Sequence, residues 1–197
     1  NLVLDNITIT DIDSESSRLI TSNSNTTIKD SVFANNTVSA IITQGGNNNL
    51  NIINTVIEGN NVTYDSSVFG VVYVSSGRGN LTIEDSKFYD NLVRQSTVRG
   101  YTDTNITVKG TEFINNTADN SPYYSSGGAI YAQAKLDVSD SIFINNKARR
   151  DGGAIYVGPN GQASITKSEF INNSVYSEEK GDAIYTSGAT TINYCII

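Results

Sequence analysis

The stretch FINNTADNSPYYSSGGAIY, from Phe113 to Tyr131, occurs three times in this chain with both ends kept and the middle replaced. The second copy is FINNKARRDGGAIY, from Phe143 to Tyr156, and the third is FINNSVYSEEKGDAIY, from Phe170 to Tyr185. Loops tolerate insertion and stacked strands do not. Two constant motifs around a segment of changing length therefore indicate a repeated structural unit with a loop in its middle.

The repeat extends over all 197 residues. An apolar residue followed five positions later by Phe or Ile marks eight copies, among them LTIEDSKF, ITVKGTEF and LDVSDSIF. The last residues of the eight copies are Ile9, Phe33, Ile57, Phe88, Phe113, Phe143, Phe170 and Ile197. A period of about 27 residues is typical of solenoids, in which each turn packs only on its neighbours.

Within each copy, apolar and polar residues alternate, and Val, Ile, Thr and Phe are frequent, which favours β-strands. The alternation breaks once in each copy, so we expect a bend there. The bend residues are Asn6, Asp30, Asn54, Asp85, Gly110 and Asp140, types that tolerate a left-handed backbone, whereas Lys167 and Tyr194 depart from the pattern. Two strands joined by a bend and a third strand in GGAIY make three short strands per turn.

We therefore predict an all-β fold: a single right-handed parallel β-helix, a pectate-lyase-like solenoid with about eight coils and three short strands per coil. It spans residues 1–197, and we expect the chain to be a fragment of a larger repeat-rich surface protein. Coils one and two have no clear match to the third strand, so we expect them to open first.

A column of asparagines follows the Phe or Ile position by three residues. Its members are Asn36, Asn60, Asn91, Asn116, Asn146 and Asn173. Coils stacked at strand spacing place these amides above one another, so each NH₂ can donate to the carbonyl oxygen of the next. The sequence thus predicts a structural ladder of hydrogen-bonded asparagines.

Composition and charge argue against several kinds of partner and site. The net charge of −7 leaves no basic patch for nucleic acid, and the longest apolar run, residues 68–74, is far shorter than a membrane helix. We expect no nucleic-acid partner and no direct membrane insertion. The chain has no His, which removes His-based triads and His-ligated metals. We expect no cofactor, no metal and no catalytic residue.

Two resemblances to known families rest on the quoted motifs. The pairing of F-x-x-N with GGAI, or with GDAI in the third copy, resembles the repeats of chlamydial polymorphic outer-membrane proteins. The longer pattern SIFINN…GGAIY, together with INYCII, resembles adhesin-like proteins of methanogenic archaea. These resemblances imply a large, repeat-rich protein on the cell surface that mediates attachment. They define no binding residue.

Tyrosines are the main candidates for ligand binding. If the Ile of GGAIY points inward, alternation turns Tyr131, Tyr156 and Tyr185 outward, in a stripe that also takes in Tyr73 and Tyr101. Outward Tyr suits sugar rings or a protein partner. The alternatives are that these rings only stack on each other or point inward. The loop tyrosines Tyr123, Tyr124 and Tyr176 are further candidates.

Charged residues and sequons supply weaker candidates. The run KARRD, from Lys147 to Asp151, and the pair Arg94 and Arg99 are candidates for holding an acidic sugar, with solvated loops as the alternative. Eight sequons for N-glycosylation occur, at Asn6, Asn25, Asn35, Asn61, Asn80, Asn105, Asn115 and Asn172.

Three functions fit these observations. The first is a non-enzymatic, extracellular, surface-displayed adhesin segment that binds a glycan or protein on host or microbial cells through its loops or Tyr stripe. The second is a carbohydrate-active enzyme, a polysaccharide lyase or glycoside hydrolase, for which Asp30, Asp85 and Asp140 are the carboxylates to consider, with bend residues as the simpler interpretation. The third is a passive stalk or a surface-layer component that associates end to end through uncapped coils.

Overall fold

The computed structural model describes residues 1–62, 70–75, 77–119, 125–176 and 180–197. Within these ranges the chain is an all-β, right-handed parallel solenoid of about 7 turns, so the predicted fold class is confirmed. Successive coils pair in parallel, with partners 22 to 32 residues apart. No helix long and apolar enough to span a membrane occurs in the described part of the chain.

Two of the three sheets are regular stacks with one short strand from each coil. The first sheet contains Leu2–Asp5, Thr26–Lys29, Leu50–Ile53, Asn80–Glu84, Asn105–Lys109, Lys135–Ser139, Gln162–Thr166 and Ala189–Asn193. The second contains Thr8–Thr10, Val32–Ala34, Val56–Glu58, Lys87–Tyr89, Glu112–Ile114, Ile142–Ile144 and Glu169–Ile171. The first sheet has one strand for each of the eight copies of the repeat, and the second has seven, because the eighth copy adds only an isolated bridge between Ile196 and Glu169.

The third sheet divides into two arms. In the first two coils it is crossed by single long strands, Asp13–Ser22 and Thr37–Gln44. From the third coil onward each crossing is split. The first arm holds Asn61–Val62, Leu92–Val93, Thr117–Ala118, Lys147–Ala148 and Ser174–Val175, and the second arm holds Val72–Val74, Val98–Gly100, Ile130–Ala132, Ile155–Val157 and Ile184–Thr186.

The variable segments of the sequence lie between the two arms, as predicted. The reason given for weak first coils is wrong, since their third strands are the longest in the chain, with 10 and 8 residues. The expected match to GGAIY is absent there because a long strand needs no Gly-rich return from a loop. Later coils accordingly have four short strands on three faces rather than three.

The bend after the first strand has the predicted left-handed backbone. All six predicted residues have φ between 45° and 57°, and Lys167 and Tyr194 adopt φ of 48° and 56° despite their type. A second left-handed column, which the sequence pattern did not predict, follows the second strand. It consists of Asp11, Asn35, Gly59, Asp90, Asn115, Asn145 and Asn172. Each coil therefore turns two corners with residues that tolerate positive φ.

The interior is built from identical side chains stacked coil on coil. Rings of Phe88, Phe113, Phe143 and Phe170 lie parallel, with centroids 4.7 to 5.1 Å apart, and all four are buried. These separations match strand spacing, so each ring contacts the ring above and the ring below.

The buried asparagine ladder is present over six coils. Asn116 is typical: its Nδ2 donates to Asn146 Oδ1 at 3.0 Å and to the Phe88 carbonyl at 2.8 Å. Its Oδ1 accepts from the Nδ2 and the backbone N–H of Asn91. A buried amide with four partners carries no unpaired polar group, so the ladder fixes the register of the second corner.

The GG of GGAIY has a steric origin. Gly127, Gly152 and Gly181 have φ near +70°, which L side chains rarely adopt. A Cβ on Gly153 would lie 2.1 Å from the Asp182 carbonyl oxygen and 2.5 Å from Ser174. The two coils that carry Gly-Gly therefore need a residue without a side chain at both positions to return into the second arm, whereas the third copy keeps only the first glycine, Gly181, and has Asp182 at the second position.

Candidate functional site

One outward-facing column runs along the second arm of the third sheet. Strand register aligns Tyr73, Arg99, Tyr131, Tyr156 and Tyr185 in consecutive coils. The strand positions on either side of this column are occupied mainly by core residues, so alternation points the column away from the interior. We call these five residues the tyrosine–arginine column.

The structure departs from expectation at two of the predicted positions of this column. Tyr73 points outward but is only 4% exposed and packs with Ala40, so its ring is not available to a ligand. Tyr101 lies outside the column, beyond the end of Val98–Gly100. Arg99 takes the position instead, and aligning the alternation of Val98–Gly100 with that of Val72–Val74 would have found it.

Tyr131, Tyr156 and Tyr185 form one stack. Ring centroids of Tyr131 and Tyr156 are 4.7 Å apart and those of Tyr156 and Tyr185 are 5.4 Å apart, each pair inclined by 15°. The guanidinium carbon of Arg99 lies 4.0 Å from the Tyr131 centroid. Both faces of Tyr131 and of Tyr156 are therefore covered. The half-buried stack offers ring edges and hydroxyls rather than ring faces.

A cleft of about 410 Å³ lies beside the column. Arg99, Tyr131 and Tyr156 line one side of it. The other lining residues are Gln95, Ser126, Arg150 and Asp151, which come from the segments between the two arms. The cleft is thus formed where inter-arm segments of three coils meet the outward face of the second arm.

Backbone hydrogen bonds between coils hold the loop side of the cleft in place. The Arg150 N–H donates to the Ser125 carbonyl at 2.9 Å, and the Gly127 N–H donates to the Asp151 carbonyl at 3.0 Å. The Asp151 carboxylate also accepts from the Lys180 N–H at 3.3 Å. Arg150 and Asp151 therefore belong to an ordered wall, not to a freely solvated run.

Burial sets the electrostatics of the column. It lowers the pKa of the Arg99 guanidinium, because the charged form loses hydration. Arg99 Nη1 donates to Gln95 Oε1 at 2.5 Å, which orients the guanidinium. Burial likewise raises the pKa of the Tyr156 hydroxyl, helped by the neighbouring Tyr131, and raises the pKa of Tyr73. Tyr73 and Tyr156 therefore stay neutral near neutral pH.

The remaining candidate tyrosines do not join this site. Tyr176 follows the first arm and is 47% exposed, with Lys147 Nζ 3.6 Å from its ring centroid. Burial and the nearby Asp119 raise the pKa of Tyr176. Tyr123 and Tyr124 lie outside the described residues. Ligand binding by these three residues stays a prediction.

The sequons lie mainly on exposed corners and edges. Seven of the eight sequon asparagines are exposed, and Asn61 is half-buried. Some already bond to neighbouring coils: Asn105 Nδ2 donates to Asn80 Oδ1 at 3.2 Å, and Asn115 Nδ2 donates to Asp90 Oδ1 at 2.9 Å. Glycosylation at these positions stays a prediction.

The aspartates at the first corner act as bend residues. Asp30, Asp85 and Asp140 all have positive φ and are exposed, and Asp30 accepts a hydrogen bond from Asn54 Nδ2 at 2.7 Å. On the second sheet, the Tyr89 hydroxyl donates to the Glu112 carboxylate. Among the described residues, no three His, Cys, Asp or Glu side chains are grouped to hold a metal ion. The carboxylates therefore do not converge with the cleft, apart from Asp151.

Comparison with known proteins finds similarity in the coils that carry this site. The Chlamydia polymorphic membrane protein repeat matches residues 110–133 and 140–158. Probable autotransporter YfaL of Escherichia coli (strain K12) is 41% identical over an alignment of 83 residues that covers 39% of this chain and 6% of that protein. The chain thus matches a small part of a much longer relative.

Among solved structures, QnrB1, a plasmid-mediated fluoroquinolone resistance protein, aligns with 96% of this chain and 89% of its own, at 12% identity and a TM-score of 0.21. That score is too low to carry an argument. The sequence matches carry more weight: over part of its length, this chain is similar to polymorphic membrane protein repeats and to an autotransporter.

Proposed function

We propose that this chain is a surface-exposed passenger segment of the adhesin type, without enzymatic activity, which attaches to a glycan or protein on another cell. One observation carries the proposal. The residues matched by the polymorphic membrane protein repeat, 110–133 and 140–158, include five of the seven residues that line the cleft: Ser126, Tyr131, Arg150, Asp151 and Tyr156. The similarity to an autotransporter supports an extracellular location.

The polymorphic membrane protein repeat and an ordered cleft thus coincide in the same coils. Solenoids bind partners through loops on one face, and here the inter-arm segments and the second arm form that face. The finer assignment to adhesin-like proteins of methanogenic archaea remains part of this proposal and rests on the SIFINN…GGAIY pattern.

Surface exposure is tested on intact source cells. Antibodies raised against the chain should label unpermeabilised cells, and protease added outside should remove the label. Labelling that appears only after permeabilisation would overturn the proposed location.

Attachment is tested with beads coated with the chain and incubated with a panel of host and microbial cells. We expect more beads per cell than with beads coated with an unrelated acidic protein of similar size. If the chain-coated beads and the control beads adhere in equal numbers to every cell type tested, the result would contradict an adhesin role and favour the stalk.

The stalk is the second candidate because one observation favours it. Tyr131 and Tyr156 cover each other's faces, as expected if the stack stabilises the rod. A stalk would extend a distal domain and bind nothing itself, so the bead experiment separates the two functions.

A further inference from the structure

Basic side chains converge at one place on an otherwise acidic chain. Lys and Arg number 13 against 20 Asp and Glu, yet the cleft beside the tyrosine–arginine column is lined by two arginines and one aspartate. Arg99 and Arg150 come from different coils and different segments, so sequence proximity does not explain their meeting. Coil stacking brings them together.

The geometry prepares Arg99 to receive an anion. Its guanidinium lies 4.0 Å from the Tyr131 centroid and donates to Gln95 at 2.5 Å, so its orientation is fixed before any ligand arrives. Fixing a rotamer-rich side chain in advance reduces the entropy lost on binding. A planar guanidinium matches a carboxylate with two parallel hydrogen bonds.

The rest of the lining is suited to a sugar. Gln95 and Ser126 provide an amide and a hydroxyl, and Asp151 provides an acceptor for sugar hydroxyls. The stacked tyrosines present edges and hydroxyls. A volume of about 410 Å³ falls within the range of small-molecule clefts. A cleft with these groups and two cations fits a small polar ligand that carries negative charge.

We propose that this cleft binds a carboxylate-bearing saccharide, with Arg99 and Arg150 on its carboxylate and Asp151 and the tyrosine hydroxyls on its hydroxyl groups. The proposal rests on the attachment function proposed above and names the chemistry of its ligand. Nucleic acid is disfavoured because the chain has net charge −7 and only two arginines line the cleft.

Isothermal titration of the full chain with a hyaluronan oligosaccharide, in which every second sugar is a glucuronate, tests this directly. The same oligosaccharide with its carboxyl groups reduced to alcohols is the matched uncharged probe. We expect saturable binding of the first that weakens with added salt, and no binding of the second. Equal binding of both, or binding of dextran sulfate without hyaluronan, would overturn the carboxylate assignment.

Variants locate the site. Arg99→Gln and Arg150→Gln should each weaken binding about tenfold or more. Arg149→Gln is the matched control, because Arg149 neighbours Arg150, is exposed, pairs with Asp119 at 3.3 Å and does not line the cleft. Arg149→Gln should bind like the parent. Equal losses in all three variants would mean that binding is only nonspecific attraction to positive charge.

Two controls keep the outcomes distinguishable. Circular dichroism and the thermal midpoint show whether each variant is folded, and Arg150→Gln still tests the site if Arg99→Gln unfolds. Beads that adhere to cells while the chain ignores hyaluronan would overturn the saccharide and leave attachment standing. If the chain binds hyaluronan but antibodies never detect it on intact source cells, the proposed surface location is overturned and the proposed ligand of the cleft is not.

Discussion

The first two coils and the later coils share one interior but cross the third face differently. In the first two coils a single continuous strand crosses this face: Asp13–Ser22 in the first and Thr37–Gln44 in the second. Every later coil breaks the crossing, inserts a segment and returns, through Gly-Gly in two of them. The cleft occurs only in the later kind of coil. The stacked columns therefore specify the rod, whereas the interruption of a strand creates the surface on which a site can form.

The largest effect should come from the ladder that both regions share. Asn116→Ala removes a side chain with four hydrogen bonds and leaves buried partners unsatisfied, so we expect a loss of about 3 kcal/mol in the free energy of unfolding. Asn36→Ala, in the second coil, should cost somewhat less, because Asn36 Oδ1 accepts from a single donor, the Ile12 N–H. Urea unfolding measures both.

The exposed Asn105→Ala is the control and should change the free energy by less than about 0.5 kcal/mol. A ladder variant as mild as this control would mean that the asparagines do not hold the rod together.

The next effect belongs to the later coils alone. Gly153→Ala would place a Cβ 2.1 Å from the Asp182 carbonyl oxygen, and backbone must move to admit it, so we expect a loss of about 2 kcal/mol. Gly158→Ala is the matched control, because its nearest contact would be an ordinary 3.6 Å. Thermal unfolding of the two variants should differ clearly. Equal midpoints would show that the return into the second arm is looser than the structure indicates.

Some of these structural features could be predicted from the sequence, and others could not. The fold, the first corner and the asparagine ladder were predictable because stacking puts the same residue type at the same place in every coil. The second left-handed column was missed although its Asn and Asp residues are visible. The burial of Tyr73 and the meeting of Arg99 with Arg150 were not predictable, since both depend on how segments of unequal length fold between the arms.

A smaller difference in stability should distinguish the stacked phenylalanines of the later coils from the single phenylalanine of the second coil. Phe113 stacks between Phe88 and Phe143, whereas Phe33 lies between Ile9 and Ile57. Phe113→Leu should therefore destabilise the chain by about 1 kcal/mol more than Phe33→Leu, the difference being the ring–ring term. Urea unfolding of the pair measures it. A larger loss at Phe33 would show that volume rather than stacking dominates this column.

The smallest effect is a pH dependence from tyrosine ionisation, which arises only in the later coils because the first two contain no tyrosine. Burial raises the pKa of Tyr156 above its ordinary value of about 10. Between the two values, the unfolded chain releases a proton that the folded chain keeps, so the free energy of unfolding falls as pH rises above about 10. Tyr156→Phe removes this proton, and its thermal midpoint should fall less steeply with pH. Between pH 7 and 9 the two proteins should share one slope, because Tyr156 is neutral in both states there. Parallel curves above pH 10 would mean that the hydroxyl of Tyr156 is solvated and that the stack does not shield it.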